Sequence, residues 1–393
     1  MKNNKGGVSI VIPTYEGGKV FSQCLKMIYA QAYDGPIQLI VIDSGSSDGT
    51  AELAEKKGAI LRRIDKNEFH HARTRNKALS LVAFDRVIFM VQDAVPVSEK
   101  WLSRLTESLE ESGAAAVYTG QIPHENASLY ARLETDSISE ARGNSPKVHY
   151  LQLLESFRAL LYEEAYRNIG LDNVCAIYNM NVLLEEPFPN VDFAEDLAWA
   201  LKILLKGHTI LYQPNVQVKH SHNRPSIYIF KRQIINAFWC AKIMQRVRED
   251  LSFLGLYDLL AVMNDVVDAA HQMGNEMQFS LNIKSFFQEI LKSFPLSYRV
   301  CLFLESGLSM VHKSESLAVT EIRKRLEKEI REMFGSLLTR YPNAEKTEYA
   351  EALEQITANV LGRILGETYA SCMRQGNISN RFERFMRPWL IGA

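Results

Sequence analysis

The chain has 393 residues, of which 47% are hydrophobic and 23% charged, and a formal net charge of -1 at pH 7. These are ordinary values for a globular chain, so a disordered or fibrous protein is excluded, and the near-neutral balance supplies no overall field to attract nucleic acid. The length suits two domains. No apolar run approaches the roughly 18 residues that span a bilayer, and the N-terminus enters a strand with no apolar region of the secretory kind. Five scattered cysteines, Cys24, Cys175, Cys240, Cys301 and Cys372, make no C-x-x-C pair. Their odd number suits reduced thiols in a cytoplasmic protein.

In chain order, residues 8–12 read as a strand and Pro13-Thr-Tyr-Glu-Gly-Gly18 as its turn, followed by a helix over 19–31. Residues 37–42 form a second buried strand, closed by Asp43-Ser-Gly-Ser-Ser-Asp-Gly-Thr50, whose polar residues cap a helix over 51–57. A third strand over 59–64 and a helix over 69–81 carrying His70, Arg73, Arg75 and Asn76 come next. Val87-Ile-Phe-Met-Val-Gln-Asp-Ala-Val-Pro96 is an apolar, β-branched run that reads as a strand buried on both faces. Alternating strands and helices specify a doubly wound, mostly parallel α/β sheet. In such sheets ligands gather beyond the carboxyl ends of the strands. Three polar pairs stand there: Thr14 with Glu16, Asp43 with Ser44, and Gln92 with Asp93.

A helix over 99–111 and a strand over 114–119 follow. Residues 121–150 mix Pro, His, Asn, Ser and Gly with little periodicity and read as a substrate-facing excursion or mobile loop. Next come a helix over 151–167, a strand over 174–178, and a segment over 188–199 that opens a helix with acids in its first turn. Two short strands, 209–212 and 216–219, lead into His220-Ser-His222. Past Pro225 helical periodicity dominates, with breaks near Gly274, Pro295, Pro342 and Gly376. The expected division is an α/β domain over 1–225 and an all-helical domain over 226–393.

Four motifs, Val8-Ser-Ile-Val-Ile-Pro-Thr-Tyr15, Val41-Ile-Asp-Ser-Gly-Ser-Ser-Asp-Gly-Thr50, Gln92-Asp93 after an apolar strand, and Ala194-Glu-Asp-Leu-Ala-Trp199, resemble family 2 glycosyltransferases of the GT-A fold. Gln-Asp-Ala after the central strand, together with the His-Ser-His ending, is similar to their bacterial rhamnosyltransferase-like branch. The likeness covers about residues 8 to 222.

That resemblance implies roles, each of which has a plainer alternative. Asp43 and Ser44, walled by Pro13, Thr14, Tyr15 and Glu16, would hold the donor nucleoside; otherwise Asp43 and Asp48 cap a turn and a helix, the favoured reading for Asp48. Asp93 matches the last acid of the family's D-x-D, whose first position is here Val91 and whose middle is Gln92. One carboxylate can still serve a Mg or Mn ion held with a diphosphate. His220 would ligate that metal or contact the diphosphate, while His222 reads as a surface or packing residue. Arg73 and Arg75 would clamp the diphosphate, or else line a solvated helix face. Glu195-Asp196 matches the catalytic pair, with Asp196 as the general base, kept ionised by the helix N-terminus; otherwise the two acids simply favour a helix N-terminus. Trp101 and Trp199 read as core or acceptor-pocket aromatics, with core the favoured reading.

In the second half, residues 322–331 read as a charge-rich amphipathic helix. Residues 381–390 interleave basic and aromatic side chains, which suits an anionic bilayer, the tail's own domain or a second subunit. The expected protein is an inverting glycosyltransferase using dTDP-rhamnose or a UDP-hexose as donor and a surface-glycan or lipid-linked acceptor, in the cytoplasm or at the inner face of the membrane. The alternative is a non-catalytic sugar-nucleotide or glycan-binding scaffold. Nucleotidyl transfer would want a Gly-rich phosphate loop, for which Glu16-Gly-Gly18 is a poor substitute.

Overall fold

The computed structural model describes residues 6–151, 154–248, 251–254, 256–292 and 317–390. Cys301 and the expected break at Pro295 lie outside them. The chain groups into two units: Met1–Asn126 with Glu134–Ser221, and Ala127–Leu133 with His222–Ala393.

The first unit is built on a 9-stranded sheet. Its opening half alternates β1 (Val8–Thr14), α1 (Gly18–Tyr29), β2 (Ile37–Asp43), α2 (Thr50–Lys56), β3 (Ile60–Arg63), α3 (His71–Ala78) and β4 (Arg86–Met90). After β5 (Val95–Pro96) come α4 (Trp101–Ser112), β6 (Ala116–Ile122), α5 (Leu129–Arg142), β7 (Lys147–His149), α6 (Leu154–Ala159), α7 (Tyr162–Asn168), β8 (Cys175–Asn179), α8 (Met180–Glu185), α9 (Glu195–Leu205) and β9 (Ile210–Lys219). The order is β3-β2-β1-β4-β8-β6-β9-β5, with β7 pairing β9. Strands β1 to β4, β6 and β9 share one direction, while β5, β7 and β8 run against it. This is the mostly parallel α/β sheet expected.

Helix α1 buries Phe21, Cys24, Leu25 and Ile28, a single stripe that lies on the sheet. Trp101, Leu102, Leu105 and Leu109 do the same for α4, which ends at Gly113 in the left-handed conformation. Every residue of β4 after Arg86 is buried, as a strand covered on both faces requires. Trp101 and Trp199 are core residues.

Three local expectations change. The stretch 121–150 is not a loop: it holds α5 and β7, and β7 pairs with β9 over three residues. The helix expected over 151–167 is divided into α6 and α7. The strands expected at 209–212 and 216–219 are one strand, β9, interrupted by a bulge. At that bulge a Cβ on Gly120 would lie 2.6 Å from the Pro214 carbonyl oxygen, so only glycine allows the approach. The break expected near Gly274 is present: α11 ends at Glu276, two residues on.

The second unit contains α10 (Ser226–Met244), α11 (Leu256–Glu276), α12 (Ile283–Lys292), α13 (Leu317–Arg340), α14 (Lys346–Gln375) and α15 (Asn380–Leu390). Helix α14 is buried almost all round over residues 352–372, as expected of a helix at the centre of a bundle. It packs on α10 at backbone distance. A Cβ on Gly362 would come 2.2 Å from the Phe230 carbonyl oxygen, and one on Gly366 2.5 Å from that of Ile234. Helix α13 buries Ile322, Leu326 and Ile330 and exposes charges between them, the amphipathic pattern expected. On α15, Phe382, Phe385 and Met386 are buried, Phe382 against Tyr369 and Trp389 against Phe230. The apolar face of the tail therefore packs on its own domain, with Arg384 and Arg387 outward. No helix among the described residues is long and apolar enough to cross a membrane.

Candidate active site

Strands β1 and β2 end in register, Thr14 beside Asp43, and their loops are laced together. Thr14 Oγ1 donates to Asp43 Oδ1 (2.9 Å), and Ser44 N and Oγ both donate to the Thr14 carbonyl (2.9 Å). Asp43 accepts three more bonds, from Gly45 N (3.1 Å), Ser46 N (2.9 Å) and Ser46 Oγ (2.6 Å), and is buried. Its oxygens thus hold the loop. Glu16, in the left-handed conformation at φ 50°, accepts from Ser47 N (2.8 Å) and Ser47 Oγ (3.0 Å). Asp48 Oδ1 accepts from Thr50 N at the start of α2 (3.0 Å), the capping role favoured for it. Strand β4 pairs with β1 only over Ser9 to Val11, so Pro13 can sit in β1 without an N–H. Tyr15 is exposed, with Lys66 Nζ 4.2 Å from its ring centroid.

Gln92 explains its own side-chain type. Its Oε1 accepts from Tyr15 N and its Nε2 donates to the Tyr15 carbonyl, both at 2.9 Å. An amide can do both at once, whereas a carboxylate could only accept. Gln92 therefore clamps the turn that carries Thr14 and Tyr15.

Asp93 follows immediately. The short β5–β9 pairing sets Val95 opposite Lys219, which draws the residues just before Val95 toward those just after Lys219. His220 Nε2 consequently lies 3.9 Å from Asp93 Oδ1. His222, two residues on, adds a third donor: ligand atoms of Asp93, His220 and His222 all lie within 4.8 Å of one another. The expectation of a surface or packing role for His222 did not anticipate this. One carboxylate oxygen and two imidazole nitrogens at that spacing fit a single divalent cation after small side-chain rotations, since each would approach it to ~2.1 Å. His124 donates from Nε2 to the Asp93 carbonyl (3.0 Å) and from its backbone N–H to Ser221 Oγ (3.0 Å), bracing both sides of the group.

The third component opens α9. Glu195 is buried and paired with Arg75, Nη1 to Oε1 at 2.6 Å, and the same oxygen accepts from Asn173 Nδ2 (3.0 Å). Arg73 and Arg75, grouped together in the sequence, diverge: Arg73 is exposed and Arg75 turns inward to Glu195. Asn76 bonds Phe188 through both its amide atoms. Asp196 Oδ2 accepts from Asn173 N (3.0 Å). Burial opposes charge on Glu195, but Arg75 and His71 outweigh it and hold its carboxyl below the usual range. Asp196 moves the other way: burial, then the neighbouring Glu195 charge, push its pKa up to about 7. The expectation that the helix N-terminus keeps Asp196 fully ionised is thus corrected, because desolvation and a like charge exceed the dipole at this position.

These parts share one sheet edge. Val91 N donates to the Val174 carbonyl (3.0 Å), and the preceding residue, Asn173, bonds Asp196. Asp93, just past β4, and Asp196, in the first turn of α9, are therefore brought to the same end of the sheet. Sequence reading missed Gln121, His124, Asp172 and Asn173, which are brought here by β6, β8 and their loops and carry no motif.

The model of glycosyl transferase family 2 matches residues 9–180. The chain is 30% identical over 226 residues to the O-antigen chain rhamnosyltransferase RfbN of Salmonella typhimurium, covering 55% of this chain and 67% of that one. It is 27% identical over 233 residues to the O-antigen chain rhamnosyltransferase WbaN of Salmonella anatum, covering 57% and 69%. Among solved structures it is similar to the mannosyltransferase PcManGT from Pyrobaculum calidifontis, solved with GDP-Man and Mn2+, at 18% identity and a TM-score of 0.45, covering 61% of this chain and 64% of that one.

Proposed function

Because this chain belongs to glycosyl transferase family 2 and is a glycosyltransferase, we propose that it transfers a sugar, with inversion, from a nucleoside-diphosphate donor to a hydroxyl of a surface-glycan or lipid-linked acceptor. The observation that carries the reading is the carboxylate of Asp196, poised near neutral pH at the strand edge that also presents Asp93. Similarity to two rhamnosyltransferases favours rhamnose, carried as dTDP-rhamnose, over a UDP-hexose. The cytoplasm or inner membrane face is the corresponding place of action.

In this reading the Thr14–Tyr15–Glu16 turn forms the wall for the nucleoside. Asp43 and Ser44 shape that wall, since the four donors on Asp43 already engage its oxygens. Pro13 and Gln92 fix the turn from either side. Arg73, exposed on α3, is the guanidinium available to the diphosphate, while Arg75 serves Glu195. Asp196 takes the proton of the acceptor hydroxyl as its oxygen forms the new bond to the anomeric carbon. Glu195 keeps its charge beside Asp196 and so raises the basicity of that carboxylate.

Asp93 and His220, with His222, would hold a divalent cation, which supplies charge neutralisation for the departing diphosphate. Two imidazoles in the donor set suit Mn better than Mg.

The test is calorimetric titration of dTDP, UDP, GDP and CDP with Mn2+, Mg2+ or EDTA, beside a transfer assay of Asp196→Asn. We expect a pyrimidine diphosphate to bind with metal, and the variant to bind it equally while transfer falls by about 10²–10⁴-fold. Undiminished transfer removes Asp196 as the base. Failure to bind any of the four returns the weight to a scaffold.

A further inference from the structure

We propose that Gln121 is a positioning residue that locks His220 in the tautomer with Nδ1 protonated and Nε2 presented to a divalent cation, as the link between Asp172 and His220 in a relay running Arg142, Asp172, Gln121, His220. The proposal rests on the metal reading of Asp93 and His220 given above.

The chemistry of the partners decides the orientation of each member. Paired with Arg142, the Asp172 carboxylate accepts, so the Gln121 amide atom 2.9 Å from Asp172 Oδ2 is Nε2. Gln121 Oε1 is thereby turned to His220 Nδ1, 2.9 Å away. A carbonyl oxygen can only accept, so Nδ1 carries the hydrogen. In a neutral imidazole the lone pair then belongs to Nε2, the nitrogen 3.9 Å from Asp93 Oδ1. A lone pair aimed toward a carboxylate oxygen is an arrangement that a cation between them completes.

The relay is anchored at its far end. Asp172 pairs with Arg142 and accepts from Val174 N at 3.1 Å. The Arg142 guanidinium lies over the rings of Tyr118 and Tyr212, 5.2 and 5.9 Å from their centroids. Gln121 is itself buried in β6, and the His220 backbone is tied to that strand by its N–H to the Ile122 carbonyl at 2.9 Å. None of these groups can rotate independently. Imidazole ligands are held in this way by a hydrogen bond to the second nitrogen, and loss of that bond typically costs about 10–100-fold in metal affinity.

The experiment uses the full chain labelled with 15N-histidine. Two-bond proton–nitrogen spectra of the metal-free protein read the tautomer of His220, assigned by His220→Gln, and Mn2+ affinity is measured from the free-ion electron paramagnetic resonance signal without nucleotide. In the wild type we expect Nδ1–H. Gln121→Met, similar in size, should release the ring to the other tautomer and weaken Mn2+ binding about 10–100-fold. The pair Gln121→Glu with Asp172→Asn reverses the donor and acceptor of one bond, keeps an acceptor for Nδ1–H, and should recover most of the affinity. Nε2–H in the wild-type spectrum overturns the proposal whether or not the variants fold. Wild-type protein that binds no Mn2+ overturns the metal reading instead. Equal Mn2+ affinity in wild type and Gln121→Met leaves the metal reading standing and removes the relay.

Discussion

Arg75 Nη1 and Glu195 Oε1 lie 2.6 Å apart, and both side chains are buried. One belongs to α3 and the other to α9, so this contact ties the two halves of the α/β unit at the residue before Asp196. Removing one partner strands a charge where water cannot reach it. Arg75→Met should therefore cost ~3–5 kcal/mol in urea unfolding. Combining it with Glu195→Gln should recover much of that loss, and a double variant as unstable as the single one would count against the pairing.

The position of the Asp196 carboxyl predicts a pH profile. The base works when deprotonated, so turnover should rise through about pH 7, where burial and Glu195 have placed its pKa. Glu195→Gln removes the neighbouring charge and should move the inflection to lower pH. The same shift sets a stability trend of opposite sense. The folded chain retains a proton that the unfolded chain releases near 3.8, so stability falls as pH rises from there through about 7. Asp196→Asn should raise Tm relative to wild type at pH 8 and change it little at pH 4.

Gln92 occupies the middle of the family's D-x-D yet clamps Tyr15. Gln92→Glu preserves length but sets a carboxylate against the Tyr15 carbonyl in place of a donor. One lost hydrogen bond is worth ~0.5–1.5 kcal/mol, so nucleotide diphosphate affinity should drop about 2- to 10-fold by calorimetry. An unchanged affinity would show that the turn keeps its shape without the clamp.

In the helical unit, glycines divide by what surrounds them. Gly362→Ala places a methyl group 2.2 Å from the Phe230 carbonyl oxygen and should cost about 1–3 kcal/mol as α10 and α14 move apart. Gly335, within α13, has nothing within 4 Å of an added Cβ. Gly335→Ala should instead stabilise by about 0.5–1 kcal/mol, because it removes only backbone freedom from the unfolded chain. Thermal melts of the two variants side by side give the contrast.

The opening half of the sheet was legible because β1, β2 and β4 are nearly continuous apolar runs that end in polar turns, a signal with few competing interpretations. Thr14, Asp43 and Asp93 could be placed at one edge for the same reason, whereas Asp196 was singled out by the Glu195-Asp196 motif at the start of a helix. Helix α5 was not legible: Tyr130, Ala131, Leu133 and Thr135 are buried among Pro, Asn, Ser and Gly neighbours, and no clear apolar stripe emerges. The separation of Arg73 from Arg75 needed the rotation of α3, which places residues two apart on different sides. Gln121, Asp172 and Asn173 were invisible for another reason. Their roles come from long-range contacts between β6, β8 and the loop before α9, and no local pattern encodes such a meeting.

The bulge in β9 makes chain length itself part of the site. Before it Thr119 lies beside Gln213, and after it Gly120 lies beside Gln217, so three extra residues are accommodated in one step. Three is odd, and side chains on a strand alternate in direction, so the bulge reverses which face the rest of β9 presents. His220 reaches Gln121 and Asp93 only in that reversed phase. Loss or gain of a single residue at 214–216 would turn His220 to the opposite face, and Val216 within that stretch is itself packed in the core. A β9 one residue shorter or longer would have to assemble this corner from other side chains.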